Sequence, residues 1–132
     1  MGTPQRKKVL IVDDEPSITR ALSRMIKVLS GYDSVLANNG EQGIKLFNPS
    51  EIGLLISDVQ MRPIDGPSMV ESLYQQYNDV WVPAYFMTAN AGSFQDKVDS
   101  LITKGIVTGV IDKPVNTDYL VSLVQQALGN SQ

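Results

Sequence analysis

The sequence predicts an α/β domain: a doubly wound, five-stranded parallel sheet in the order 2-1-3-4-5, with helices on both faces. Three observations predict it. Several short runs, such as Val9-Leu10-Ile11-Val12, are apolar and β-branched without alternation, the pattern of strands buried on both faces. Between these runs lie segments whose apolar residues recur at helical spacing. Strand and helix patterns then alternate five times along the chain, as βα units do.

The elements follow in order. The first strand, Val9 to Val12, ends in Asp13-Asp14-Glu15, and Pro16 suits the first turn of a helix. Ile18, Leu22, Met25, Ile26 and Leu29 give that helix its apolar stripe, and Gly31 stops it. Ser34 to Ala37 reads as the second strand and Asn38-Asn39-Gly40 as a turn. A short helix over Gly43 to Phe47 ends at Asn48-Pro49. The third strand, Ile52 to Ser57, runs into another acid, Asp58. Asp65-Gly66-Pro67 is a turn, and Pro67 opens a helix carrying Met69, Val70, Leu73 and Tyr77. The fourth strand is expected over Val82 to Met87, with Pro83 confined to its first residues and Thr88 after it. Phe94, Val98, Leu101 and Ile102 mark the fourth helix. Val110-Ile111 is a very short fifth strand before Asp112-Lys113-Pro114. Tyr119, Leu120, Leu123, Val124 and Leu128 mark the last helix, capped by Asn116 or Thr117. Trp81, just before the fourth strand, reads as edge packing, and Tyr85 and Phe86 as core on opposite faces of the sheet.

Length and composition bound what this domain can do. The 132 residues suit one domain, read as a short leader over 1–7, a functional unit over 8–128, and a tail or the start of a linker over 129–132. A net charge of −3 argues against a nucleic-acid surface. There is no cysteine and no histidine, which excludes disulfides, thiolate metal sites and histidine chemistry on this chain. No apolar run approaches a membrane span and no signal segment is evident, so a cytoplasmic location is expected.

In an open parallel sheet, ligands bind beyond the carboxyl ends of the strands, where strand order reverses. With the flavodoxin-like order expected here, strands one and three are neighbours, and Asp13, Asp14 and Asp58 converge at that point. Thr88 follows strand four and Lys113 follows strand five. Singly, each has an ordinary reading: helix cap, loop acid, capping hydroxyl, surface lysine. Together they supply what phosphoryl transfer needs. Three mutually repelling carboxylates call for a divalent cation, and an all-oxygen set selects a hard ion, best Mg²⁺. Asp58 is then the nucleophile, with the metal, Lys113 and the Thr88 hydroxyl balancing charge on the phosphoryl oxygens. The backbone N–H groups of residues 59 and 89 offer further donors.

The residues Val9-Leu10-Ile11-Val12-Asp13-Asp14-Glu15-Pro16, Asn39-Gly40-Glu41, Asp58-Val59-Gln60-Met61, Asp65-Gly66, Thr88-Ala89 and Lys113-Pro114 resemble the response-regulator receiver domain of two-component signalling, from about Lys7 to about Leu128. The resemblance implies that Asp58 accepts a phosphoryl group from a phosphohistidine on a histidine kinase or phosphotransfer partner. It implies that Asp14 ligates Mg²⁺ directly and Asp13 largely through water, with Asp58 and the backbone carbonyl of Gln60 completing the protein ligands. Thr88 would swing toward the phosphoryl group and Lys113 would pair with it. Lys113-Pro114 would include a cis peptide bond, and Gln60 and Asn90 would sit where side chains tune hydrolysis of the acyl phosphate. Such a protein is a signalling phosphoacceptor, not an enzyme acting on other substrates, and it signals to an output partner or a fused effector.

Three departures stand out. Arg62 occupies the place of the proline that relatives carry after the methionine, and Pro63 follows. Val110 stands where many relatives have Tyr or Phe, which questions the usual coupling of threonine to an aromatic ring. The stretch from Thr88 to Lys113 is slightly long. Dimerisation through the fourth and fifth helices is left open. Rival readings are a non-phosphorylated interaction module of the same fold and a Mg²⁺-dependent aspartyl phosphatase. The phosphatase would need a second acid two residues after Asp58, where Gln60 stands. An electron carrier would need a phosphate loop where Asp13-Asp14-Glu15 stands.

Overall fold

The run Lys8–Val12 forms β1, and its four apolar residues are fully buried because the sheet is covered on both sides. The remaining strands are β2 (Asp33–Ala37), β3 (Ile52–Asp58), β4 (Ala84–Thr88) and β5 (Gly109–Asp112). In this computed structural model, which describes residues 6–129, all four pairings are parallel and the order is β2-β1-β3-β4-β5. Residues 1–5 and 130–132 of the expected leader and tail lie outside the described residues.

Five helices connect the strands: α1 (Pro16–Ser30), α2 (Gly40–Leu46), α3 (Gly66–Tyr77), α4 (Gln95–Thr103) and α5 (Thr117–Leu128). One core layer lies between the sheet and α2, α3 and α4, with Leu10, Leu55, Met69, Leu73 and Phe86 fully buried in it. The other lies between the sheet and α1 and α5, built on Ile11, Ile26, Ile56, Met87 and Leu120. The alternation of Phe86 and Met87 between these layers follows from the two-residue period of a strand. Tyr85, on the α1/α5 side, is only partly buried.

The differences from the expected elements have local causes. The first helix stops at Gly31, which adopts φ 83° and donates its N–H to the Lys27 carbonyl. Its buried stripe, however, is Thr19, Leu22, Ile26 and Ser30, and Leu29 is exposed. Thr19 and Ser30 can enter the core because their hydroxyls donate to the Pro16 and Ile26 carbonyls. Polar residues satisfied in this way escape a search for apolar periodicity. The second helix begins at Gly40, earlier than expected, because the Asn39 side chain caps it by accepting from the Gln42 N–H. Strand β4 starts after Pro83, whose carbonyl still accepts from the Leu55 N–H. Tyr119 is exposed, while Asn116 caps α5 by accepting from the Tyr119 N–H at 2.9 Å. Trp81 packs beside Phe47 and Tyr74 and donates its indole N–H to the Ile106 carbonyl at 2.7 Å.

Arg6 and Lys7 reach other parts of the domain: Arg6 donates to the Val80 carbonyl and Lys7 to the Leu128 carbonyl. Two peptide bonds are cis, Lys113-Pro114 and Arg62-Pro63. No helix among the described residues is long and apolar enough to cross a membrane.

Candidate functional site

The carboxyl ends of β1 and β3 lie side by side because Val12 registers with Ser57, so the acids that follow them share one rim of the sheet. Oxygens of Asp13, Asp14 and Asp58 all lie within 4.8 Å of one another. The three differ in setting. Asp13 is fully buried; its Oδ1 accepts from the Glu15 N–H and its Oδ2 from Lys113 Nζ at 3.2 Å. Asp14 is exposed, and among the described residues its carboxylate takes part in no hydrogen bond or ion pair. Asp58 is 9% exposed, at the floor of an open cleft of about 600 Å³.

Asp58 is held from both ends. Its Oδ1 accepts from the Val59 N–H at 2.9 Å and lies 3.5 Å from Lys113 Nζ. Its backbone carbonyl accepts from the Ser57 hydroxyl at 2.8 Å. Gly66, the first residue of α3, sits so close beneath that a Cβ there would collide with the Asp58 carbonyl oxygen. The sequence marks Gly66 as part of a turn and of the family resemblance, but a glycine just after a turn acid carries no sign of which backbone it will approach.

Burial raises the Asp58 pKa, the Asp13 charge adds to the rise, and Lys113 and the Val59 N–H offset only part of it. For Lys113, burial acts to lower the pKa, but Asp58 and Asp13 together outweigh it and the net direction is up. The lysine is therefore a fixed ammonium between two acids.

Thr88 ends β4 on the far side of the cleft, and its Oγ1 accepts from the Asn90 N–H at 3.0 Å. Asn90 in turn accepts from the Gly92 N–H, and Gly92 adopts φ 57° beside the Gln60 amide. Gly92 also lines the cleft and was not anticipated from the sequence. Thr88 and Ala89 also border a second cavity of about 360 Å³, behind the β4–α4 connection, whose walls include Val98, Val110 and Asp112. Val110 is half-buried there and does not fill it.

The donor set fits a hard divalent cation. It is all oxygen, it carries three negative charges, and one carboxylate is exposed and unengaged. The Gln60 backbone carbonyl accepts no backbone hydrogen bond among the described residues, and Gln60 lines the same cleft. Lys113 occupies Asp13 Oδ2 and approaches Asp58 Oδ1, so Asp14 is the least committed of the three carboxylates.

Known proteins resemble this chain along most of its length. It is 31% identical over 123 residues to the transcriptional regulatory protein GlrR of Escherichia coli, covering 93% of this chain and 26% of that protein. It is 36% identical over 92 residues to the alkaline phosphatase synthesis transcriptional regulatory protein PhoP of Bacillus subtilis, covering 70% of this chain and 37% of that protein. The chain thus spans between a quarter and two fifths of the length of these two relatives. The chemotaxis protein CheY4 of Vibrio cholerae superimposes with a TM-score of 0.76 at 27% identity, covering 92% of this chain and 98% of that one. The signal receiver domain of an HD domain-containing protein from Pseudomonas fluorescens shares the fold, with a TM-score of 0.78 at 23% identity over 97% of this chain and 90% of that one. The family model described as the response regulator receiver domain matches residues 9–125, and with these likenesses the chain belongs to the response regulator receiver family of two-component systems.

Proposed function

We propose that Asp58 accepts a phosphoryl group from a phosphohistidine on a kinase or phosphotransfer partner, in a Mg²⁺-dependent reaction, and that residues 8–128 are the unit that does so. The observation that carries this reading is the meeting of Asp13, Asp14 and Asp58 within 4.8 Å at an open cleft, with Lys113 among them.

The residues divide the work. Asp58 Oδ1 is held by the Val59 N–H, leaving the second oxygen free to attack phosphorus. As that O–P bond forms, the N–P bond of the donor breaks and its electron pair returns to the imidazole. Lys113 places a cation beside the acceptor, and Thr88 borders the same space from β4. Asp14, Asp13, Asp58 and the Gln60 carbonyl would hold Mg²⁺, which when bound neutralises carboxylate charge and charge on the phosphoryl oxygens. The chain would catalyse only its own phosphorylation and dephosphorylation.

The longer relatives are named as transcriptional regulatory proteins, which supports an output partner or a fused effector segment for this chain too. A cytoplasmic setting follows from a kinase-borne donor. A non-phosphorylated interaction module is the competing reading, and Val110 is the one feature that favours it.

Incubation with acetyl phosphate and Mg²⁺, followed by intact mass measurement, tests the proposal. A gain of one phosphoryl group is expected, with none for Asp58→Asn. Lys113→Ala is expected to leave a defective switch. Equal labelling of Asp58→Asn would overturn the assignment, and no labelling of the wild type would favour the competing reading.

A further inference from the structure

Next to the phosphoacceptor cleft runs a second groove of about 370 Å³, lined by Asp14, Gln60, Met61, Arg62 and Phe94. Asp14 and Gln60 line both spaces, so the groove continues directly from the cleft. Arg62 is exposed, and among the described residues its guanidinium forms no ion pair and no hydrogen bond. An unpaired arginine is notable on a groove that it shares with Asp14, one of the three clustered carboxylates. Asp14, Glu15 and Asp58 line the cleft, with Asp13 buried beside them, and the one cation among the lining residues is Lys113, whose ammonium already lies between Asp13 and Asp58. An anionic phosphodonor approaching this opening meets net repulsion. Arg62 is the cation on the groove leading into it.

We infer that Arg62 is a donor-binding residue, engaging the phosphoryl oxyanions of the incoming donor at the mouth of the groove before transfer and favouring the more anionic of two donors. This rests on the reading of Asp58 as phosphoacceptor. The transfer itself is unchanged: with acetyl phosphate, the bond between phosphorus and the acetyl oxygen breaks as the bond to Asp58 forms, and acetate leaves. The guanidinium, with its planar set of N–H donors, suits a phosphoryl group. Its contribution is electrostatic and exposed, so it must weaken with salt.

The test compares wild type, Arg62→Gln, Arg62→Lys and Arg62→Glu at saturating Mg²⁺ with two small donors, dianionic acetyl phosphate and the less anionic phosphoramidate. Initial labelling rates are read as a function of donor concentration and of salt. At low salt, Arg62→Gln is expected to lower the second-order labelling rate with acetyl phosphate roughly three- to five-fold, the scale of one exposed charge near a charged cleft. The loss should sit in the donor concentration needed for half-saturation, with the rate at saturation retained. Phosphoramidate should be affected less, Arg62→Lys should restore most of the rate, Arg62→Glu should be slower still, and the variants should converge near 1 M salt, where the Debye length is about 3 Å. Wild-type rates in Arg62→Gln at every salt, or an equal loss for both donors independent of salt, would overturn the assignment. Either result leaves the role of Asp58 intact, because that stands or falls on whether the wild type labels and Asp58→Asn does not.

Discussion

Gln60 Nε2 donates to the Asn90 backbone carbonyl at 3.1 Å, joining the connection after β3 to the connection after β4 across the mouth of the cleft. A weaker approach to the Ala91 carbonyl, 3.4 Å away, accompanies it. The β4–α4 connection is otherwise held by its own short bonds, Asn90 N–H to Thr88 and Gly92 N–H to Asn90. Gln60 is thus the side chain that ties this loop to the strand end bearing Asp58.

Removing that tie should loosen the loop without unfolding the domain. Gln60→Ala is expected to cost about 0.5–1.5 kcal/mol at most, the net value of a hydrogen bond, less where water can replace it. Amide exchange at residues 90–92 should quicken while the buried amides of β1 and β3 keep their protection. Unchanged exchange at 90–92 would show that the loop holds itself.

Gly66→Ala should be far more damaging than an exposed helix position suggests. The added methyl meets the Asp58 carbonyl oxygen and lies 3.1 Å from a Phe86 ring carbon, both backed by packed core. Overpacking of this kind costs about 1–3 kcal/mol, read as a lowered midpoint in urea. Labelling of Asp58 should fall in the folded fraction as well, because the strand end moves.

Metal-free stability should carry a pH signature from Asp58. Burial and Asp13 raise its pKa in the folded protein above the ordinary value of about 3.9. Between that ordinary value and the raised one, the folded state keeps a proton that the unfolded chain has released. The unfolded state then binds fewer protons, so this group's contribution to stability falls as pH rises through the window. Asp58→Asn removes the effect. In chelator, it should be more stable than wild type at neutral pH, and the difference should shrink toward pH 4 in urea titrations. A less stable Asp58→Asn at neutral pH would contradict the sign.

Adding Mg²⁺ should reverse part of that cost. At a free concentration about 100 times its dissociation constant, a ligand bound only by the folded state adds about 2.7 kcal/mol. Wild type should therefore show a clear rise in melting temperature with Mg²⁺. Asp14→Asn should lose most of it, because Asp14 is the exposed carboxylate with no other partner. An equal rise in both proteins would place the ion elsewhere.

Much of this molecule was written locally. The apolar run at Val9–Val12 and the almost wholly apolar run at Ile52–Ser57 required burial on both faces, and so a parallel sheet with helices above and below. Pro16 and Gly31 marked the ends of the first helix, and Asn116 or Thr117 the start of the last, by backbone chemistry that depends on few neighbours; the cap is Asn116. The residue types at the strand ends made the candidate site legible, because acids, a hydroxyl and a lysine following different strands point to one rim once the topology is known.

Other features belonged to the folded chain alone. The sequence could not show that Lys113 lies between Asp13 and Asp58 while Asp14 stays free, since residues 100 positions apart must first be brought together. Nor could it show that Gln60 reaches Asn90, that Gly66 lies under Asp58, or that Thr19 and Ser30 replace Leu29 on the buried face of α1. Local patterns report backbone preference and hydrophobic period, which neighbours in sequence settle. Which partners a polar side chain finds, and how its charge is tuned, depends on distances of a few ångströms between distant segments, and only tertiary packing fixes those.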